Sequence, residues 1–118
     1  MGASFKDLLV WQRAVQLSIV IYKLTASFPA PERFGLTNQL RRASVSIASN
    51  ISEGYGRSTK GEYVQFLGHA RGSNCELQTQ LIISKALEFG STQSRELAES
   101  LSDEVSKMLV SLMKKLRS

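Results

Sequence analysis

An all-α fold is predicted: an antiparallel, up-down-up-down four-helix bundle forming one domain over residues 1–118. Three observations carry that reading. Strand signals are scarce, and no Asn-Gly or Asp-Gly turn separates alternating apolar runs. Breakers cluster at three places: Phe28-Pro29-Ala30-Pro31, Tyr55-Gly56-Arg57-Ser58 and Phe89-Gly90-Ser91-Thr92. They leave four segments of helical length, and connections this short favour antiparallel neighbours.

Segment one runs from about Lys6 to Ser27 and carries two apolar stripes. Leu8, Trp11, Val15, Ile19, Tyr22 and Ala26 make one. Val10, Ala14, Leu17, Ile21, Leu24 and Phe28 make the other, on the far side of the helical wheel. A bundle helix needs one buried face, so the second calls for a partner. The expectation is a homo-oligomer with Val10, Ala14, Leu17, Ile21 and Leu24 in the interface.

Segment two, about Phe34 to Tyr55, has a single core stripe of Leu36, Leu40, Ala43, Ile47 and Ile51. Segment three, about Thr59 to Phe89, opens on a Ser58 or Thr59 cap with Glu62 favouring its positive end. Its core stripe is Tyr63, Phe66, Leu67, Ala70, Leu77 and Leu81, opposite the small groups Gly68, Gly72, Cys75, Thr79 and Ala86. Gly90 suits the stop of that helix, and Ser91 or Thr92 the next cap. Segment four, about Thr92 to Leu116, buries Leu97, Leu101, Val105, Met108, Leu112 and Leu116 by the same periodicity.

Composition narrows function. Fifteen Lys and Arg against ten Asp and Glu give a net charge of +5. A pI near 9.7 points to an acidic partner such as RNA or DNA. One cysteine and one histidine exclude an internal disulfide and a zinc finger, and no metal or cofactor is expected. No apolar run approaches a membrane span, so no membrane partner is expected. A cytoplasmic, reducing compartment is the reading, since no leader pattern is visible. Met1-Gly2 fits a myristoylation signal only weakly.

Polar residues line the core stripes. Gln39, Arg42, Ser46, Asn50 and Glu53 follow one another on segment two; Glu62, His69, Ser73, Glu76 and Gln80 do so on segment three. An antiparallel hairpin brings Arg42 level with Ser73 and Glu76, which predicts a buried Arg42–Glu76 pair. The expected structural network is therefore Arg42, Asn50, Glu53, Ser73 and Glu76. A carboxylate site of Glu53, Glu62 and Glu76 near His69 would be the enzymatic reading. No Glu-x-x-His pairing, phosphate loop or nucleophile elbow supports catalysis, so no enzyme is expected.

Up-down-up-down order sorts the charges by end. The first end gathers Lys6, Arg57, Lys60, Lys114, Lys115 and Arg117 against Asp7, Glu53 and Glu62. The other holds Glu32, Glu88, Glu96 and Glu99 against Lys23, Arg33 and Arg95. The basic end suits phosphate backbones, with Arg13, Arg41, Arg71 and Lys107 extending the patch. Aromatic residues do not interleave with these cations along the chain, so single-strand stacking is not expected.

Several spaced motifs resemble one family. They are Phe5-x-Asp7-Leu8-x-Val10-Trp11-Gln12-x-Ala14 and Phe28-Pro29-x-x-Glu32-x-Phe34-Gly35-Leu36-x-x-Gln39. The longest is Arg41-Arg42-Ala43-x-x-Ser46-Ile47-x-x-Asn50-Ile51-x-Glu53-Gly54, followed by Glu62, Phe66-Leu67, Ala70, Gly72-Ser73 and Glu76. Together they resemble the four-helix-bundle proteins encoded in intervening sequences of bacterial 23S ribosomal RNA genes. That family includes the accessory variability protein of diversity-generating retroelements. Leu9 departs from the pattern, which favours a polar residue there, and segment four matches only in periodicity. The resemblance implies a ring-shaped homopentamer and no enzymatic activity. For the retroelement relatives it implies a basic surface that binds nucleic acid and a reverse transcriptase. The alternative expectation is an oligomeric protein-binding scaffold without a nucleic-acid role.

Overall fold

A computed structural model describes residues 4–118; Met1-Gly2, with its myristoylation reading, lies outside them. Four helices follow one another: α1 (Leu9–Thr25), α2 (Leu36–Tyr55), α3 (Lys60–Ala86) and α4 (Thr92–Arg117). Short 3₁₀ turns at Phe5–Asp7 and Ala30–Phe34 precede α1 and α2. Among the described residues there is no strand.

Local chemistry sets the ends. Thr59 Oγ1 accepts the Glu62 N–H at 3.1 Å and starts α3, as its sequence position suggests. Ser91 Oγ accepts the Ser94 N–H at 3.1 Å and starts α4. At the head of α2 the cap comes from further back: Glu32 Oε1 accepts the Leu36 N–H at 3.1 Å. The α3–α4 turn needs glycine at Gly90, where φ is +77° and an added Cβ would collide with Leu24. Arg95, buried at the start of α4, donates to the Phe89 and Gly90 carbonyls at 2.7 and 2.9 Å and ties the turn shut.

Cross-helix pairs give the topology. Ser18 meets Ser44 and Thr25 meets Arg41, so α2 runs back along α1. Ser46 meets Ser73, and Gln39 meets Gln80, so α3 reverses α2. Asn74 meets Ser102, and Gly68 faces Met113, so α4 reverses α3. Arg13 meets Glu104, closing α4 onto α1. Each helix therefore packs on its chain neighbours, and the bundle measures 44 × 22 × 21 Å.

The core corrects three expectations. Val10, Ala14, Leu17, Ile21 and Leu24 are buried within the chain, so none of them faces an oligomer partner. It is the opposite stripe of α1 that stays partly open, with Ile19 50% and Tyr22 45% exposed. On α4 the buried line is Ala98, Ser102, Val105, Leu109 and Met113, not the leucine stripe. Leu97 is 51% exposed, and Leu101, Met108, Leu112 and Leu116 flank the core at the α1–α4 seam. The cause is small polar Ser102 and Arg95 taking inward positions that a hydrophobicity count rejects. Third, Arg42 and Glu76 are both exposed and do not pair with each other; Glu53 instead pairs with Arg57 at 3.1 Å. The polar network between α2 and α3 is smaller and uncharged. Asn50 Nδ2 donates to Ser46 Oγ at 3.0 Å, and Ser46 shares a 2.9 Å hydrogen bond with Ser73.

A second buried pair was not legible in the sequence. Asn74 Nδ2 donates to the Ser102 carbonyl at 3.0 Å, and Ser102 Oγ donates to Asn74 Oδ1 at 2.7 Å. This reciprocal clamp joins α3 to α4 in the middle of the core, with both residues essentially inaccessible.

Candidate nucleic-acid interface

Antiparallel packing brings the start of α1, the α2–α3 turn and the end of α4 to one end of the bundle. Lys6, Arg57, Lys60, Lys114, Lys115 and Arg117 are all exposed there. They are not equivalent. Arg57 is held by Glu53 and lies 4.7 Å from the centroid of the Phe66 ring, so its charge is partly satisfied inside the chain. Asp7 and Glu62 are likewise engaged, by the backbone N–H of Ser4 and the hydroxyl of Thr59. Lys6, Lys60, Lys114, Lys115 and Arg117 stand in no ion pair among the described residues.

The proposed extensions of the patch separate. Arg13 Nε sits 3.1 Å from Glu104 Oε2 and serves the α1–α4 contact. Lys107 joins Lys115 on the rim of an apolar hollow floored by Leu8, Leu9, Val10, Met108 and Leu112. Arg41 lies fourteen residues before the end of α2, about 21 Å away along the helix. It does not belong to the basic end at all. Its Cζ lies 4.5 Å from the Tyr22 ring centroid, and its Nε donates to Thr25 Oγ1 at 2.9 Å.

Cations and rings do interleave in space, contrary to the reading along the chain. Arg41 over Tyr22 and Arg57 over Phe66 are pairs between different elements, which linear spacing cannot show. Arg33 also lies 5.4 Å from the ring of Phe34, an aromatic residue that is 83% exposed.

The carboxylate reading fares differently. Glu53 and Glu62 have local partners, His69 stacks edge-on to Phe66 at 5.8 Å, and Glu76 is exposed. Among the described residues, no group of three or more His, Cys, Asp or Glu could hold a metal. No described helix is long and apolar enough to cross a membrane.

The geometry agrees with comparison to known proteins. The family model for 23S rRNA-intervening sequence protein matches residues 6–111. The chain belongs to this family. Within this intervening-sequence fold, Ala43, Ile47, Ile51 and Gly54 of the long α2 motif point inward, while Arg42 faces solvent. A crystal structure of a protein of unknown function from the S23 ribosomal protein family of Bacteroides thetaiotaomicron has the same fold. Its TM-score is 0.80 at 22% identity, covering 90% of this chain and 99% of that one. No curated protein matches.

Proposed function

We propose that this chain is a non-enzymatic homo-oligomer that binds RNA or DNA phosphates with the basic end of its bundle. The observation that supports it is the set of five exposed, unpaired cations at that end, among the described residues: Lys6, Lys60, Lys114, Lys115 and Arg117. Such contacts give affinity without base readout. A ring of copies, the pentamer the resemblance implies, would line one rim with these ends and multiply the charge. The same rim suits an accessory to a ribosomal RNA element or a reverse transcriptase, which works on an RNA template. Self-association is supported by the α1–α4 seam, where half-exposed Leu9 lines an apolar hollow with Met108 and Leu112, and by Leu97, also half-exposed, further back along α4.

The test is titration of a labelled structured RNA and the matching DNA duplex across a salt series. Affinity falling steeply with salt is the expected result. No binding at low salt would overturn the reading. The apolar seam would then favour the second one, an oligomeric scaffold for a protein partner.

A further inference from the structure

We propose that the α1–α2 face is a second nucleic-acid site, specific for unpaired bases. It rests on the phosphate-binding reading above and extends it from backbone to base. Between Ile19 and Ser46 the chain carries four cations, Lys23, Arg33, Arg41 and Arg42, and a single carboxylate. That carboxylate, Glu32, is occupied by the Leu36 N–H. None of the four cations stands in an ion pair among the described residues.

Two surface hollows meet on this face and share Arg41. One lies between Tyr22, Asn38, Arg42 and Val45, and the other runs past Arg33 and Thr37. Their volumes are about 570 and 310 Å³, enough for small planar groups. Half-exposed Tyr22 lines the first hollow, and Phe34 stands almost free on its 3₁₀ turn, next in the chain to Arg33 of the second. An aromatic ring that exposed contributes little to the core, so packing does not account for it. Rings and guanidinium planes stack on bases that are out of a helix, while nearby arginines hold the flanking phosphates. A duplex keeps its bases stacked inside and offers only phosphate to such a face.

A second copy of the chain is the rival occupant, since Glu96, Glu99 and Asp103 lie on α4, across the bundle. Carboxylates would pair with the arginines but leave the Phe34 ring, 83% exposed, uncovered, whereas an unpaired base can stack on that ring and on the guanidinium planes, so the face fits unpaired nucleotides better.

The experiment compares Phe34→Ala, Phe34→Tyr and the wild type. The probes are labelled oligouridylate, labelled oligothymidylate and an RNA duplex with the same number of phosphates. Phe34→Ala should weaken single-strand binding about tenfold, as loss of one stacked base does, and leave the duplex within about twofold. Phe34→Tyr should restore single-strand binding. The loss on both oligonucleotides assigns the site to single strands of either sugar; loss on oligouridylate alone assigns it to RNA. Equal losses on strand and duplex, or none, would overturn the base-stacking site while leaving the phosphate reading intact. A drop in oligomer mass for Phe34→Ala, measured by light scattering, would also overturn it in favour of a second copy. Wild type that binds no probe would instead remove the parent reading, and this site with it.

Discussion

Asn74 and Ser102 show how single residues specify this bundle. The Asn74 amide donates to the Ser102 carbonyl and accepts from the Ser102 hydroxyl across α3 and α4, so removing Asn74 strands that hydroxyl. Asn74→Ala should destabilise the chain by about 1–3 kcal/mol, the cost of an unsatisfied buried group. Adding Ser102→Ala should cost little more, because the two act as one unit. Paired thermal or urea melts check both values. By contrast, Arg42→Ala should change stability by no more than about 0.5 kcal/mol, because the residue is exposed and unpaired among the described residues. Tyr63 adds a pH dependence. Its hydroxyl is buried with no hydrogen-bond partner among the described residues, and burial, aided by Tyr55, pushes its pKa above the usual 10.0. The unfolded chain therefore gives up that proton first as pH rises. This contribution is intact below about pH 10 and is lost as pH climbs through the folded pKa. Alkaline melts should show the loss in wild type and a flatter profile in Tyr63→Phe.

At the scale of elements, α1 and α4 show what sequence makes visible. The ends of the helices follow from Pro, Gly and hydroxyl caps, and so does their order. The inward face of α1 was harder. Both stripes are apolar, and periodicity has no means of ranking them; the structure buries Val10, Ala14, Leu17, Ile21 and Leu24. On α4 the leucines mark the seam with α1, because Ser102 is buried by its hydrogen bonds to Asn74, not by hydrophobicity. Candidate cations were legible individually: six reach the expected end, and five of them stand outside any ion pair among the described residues. The cation–ring pairs were not, since Arg41 and Tyr22 meet only after α1 and α2 dock. The seam makes its own prediction. Light scattering should return a mass above the 13.1 kDa of one chain. Leu9→Lys combined with Leu97→Lys should reduce it, because both side chains are half-exposed, Leu9 at the seam and Leu97 further back along α4, and neither is needed in the core. A wild-type monomer at micromolar concentration would contradict the assembly.

Over the whole molecule, charge is distributed by location. One end of the bundle presents lysines outside any ion pair among the described residues, the α1–α2 face presents arginines among rings, and α4 carries Glu96, Glu99 and Asp103. A net charge of +5 by itself would be a solubility property; its concentration at one end is what makes phosphate binding the central claim. The most direct test is the slope of log affinity against log salt for wild type and for the Lys114→Ala, Lys115→Ala, Arg117→Ala triple variant. All three residues are exposed at the end of α4, so the fold should survive. The account predicts a steep wild-type slope that becomes shallower, on a duplex, by about 0.9 for each phosphate the variant no longer neutralises. An unchanged slope in the triple variant would contradict it.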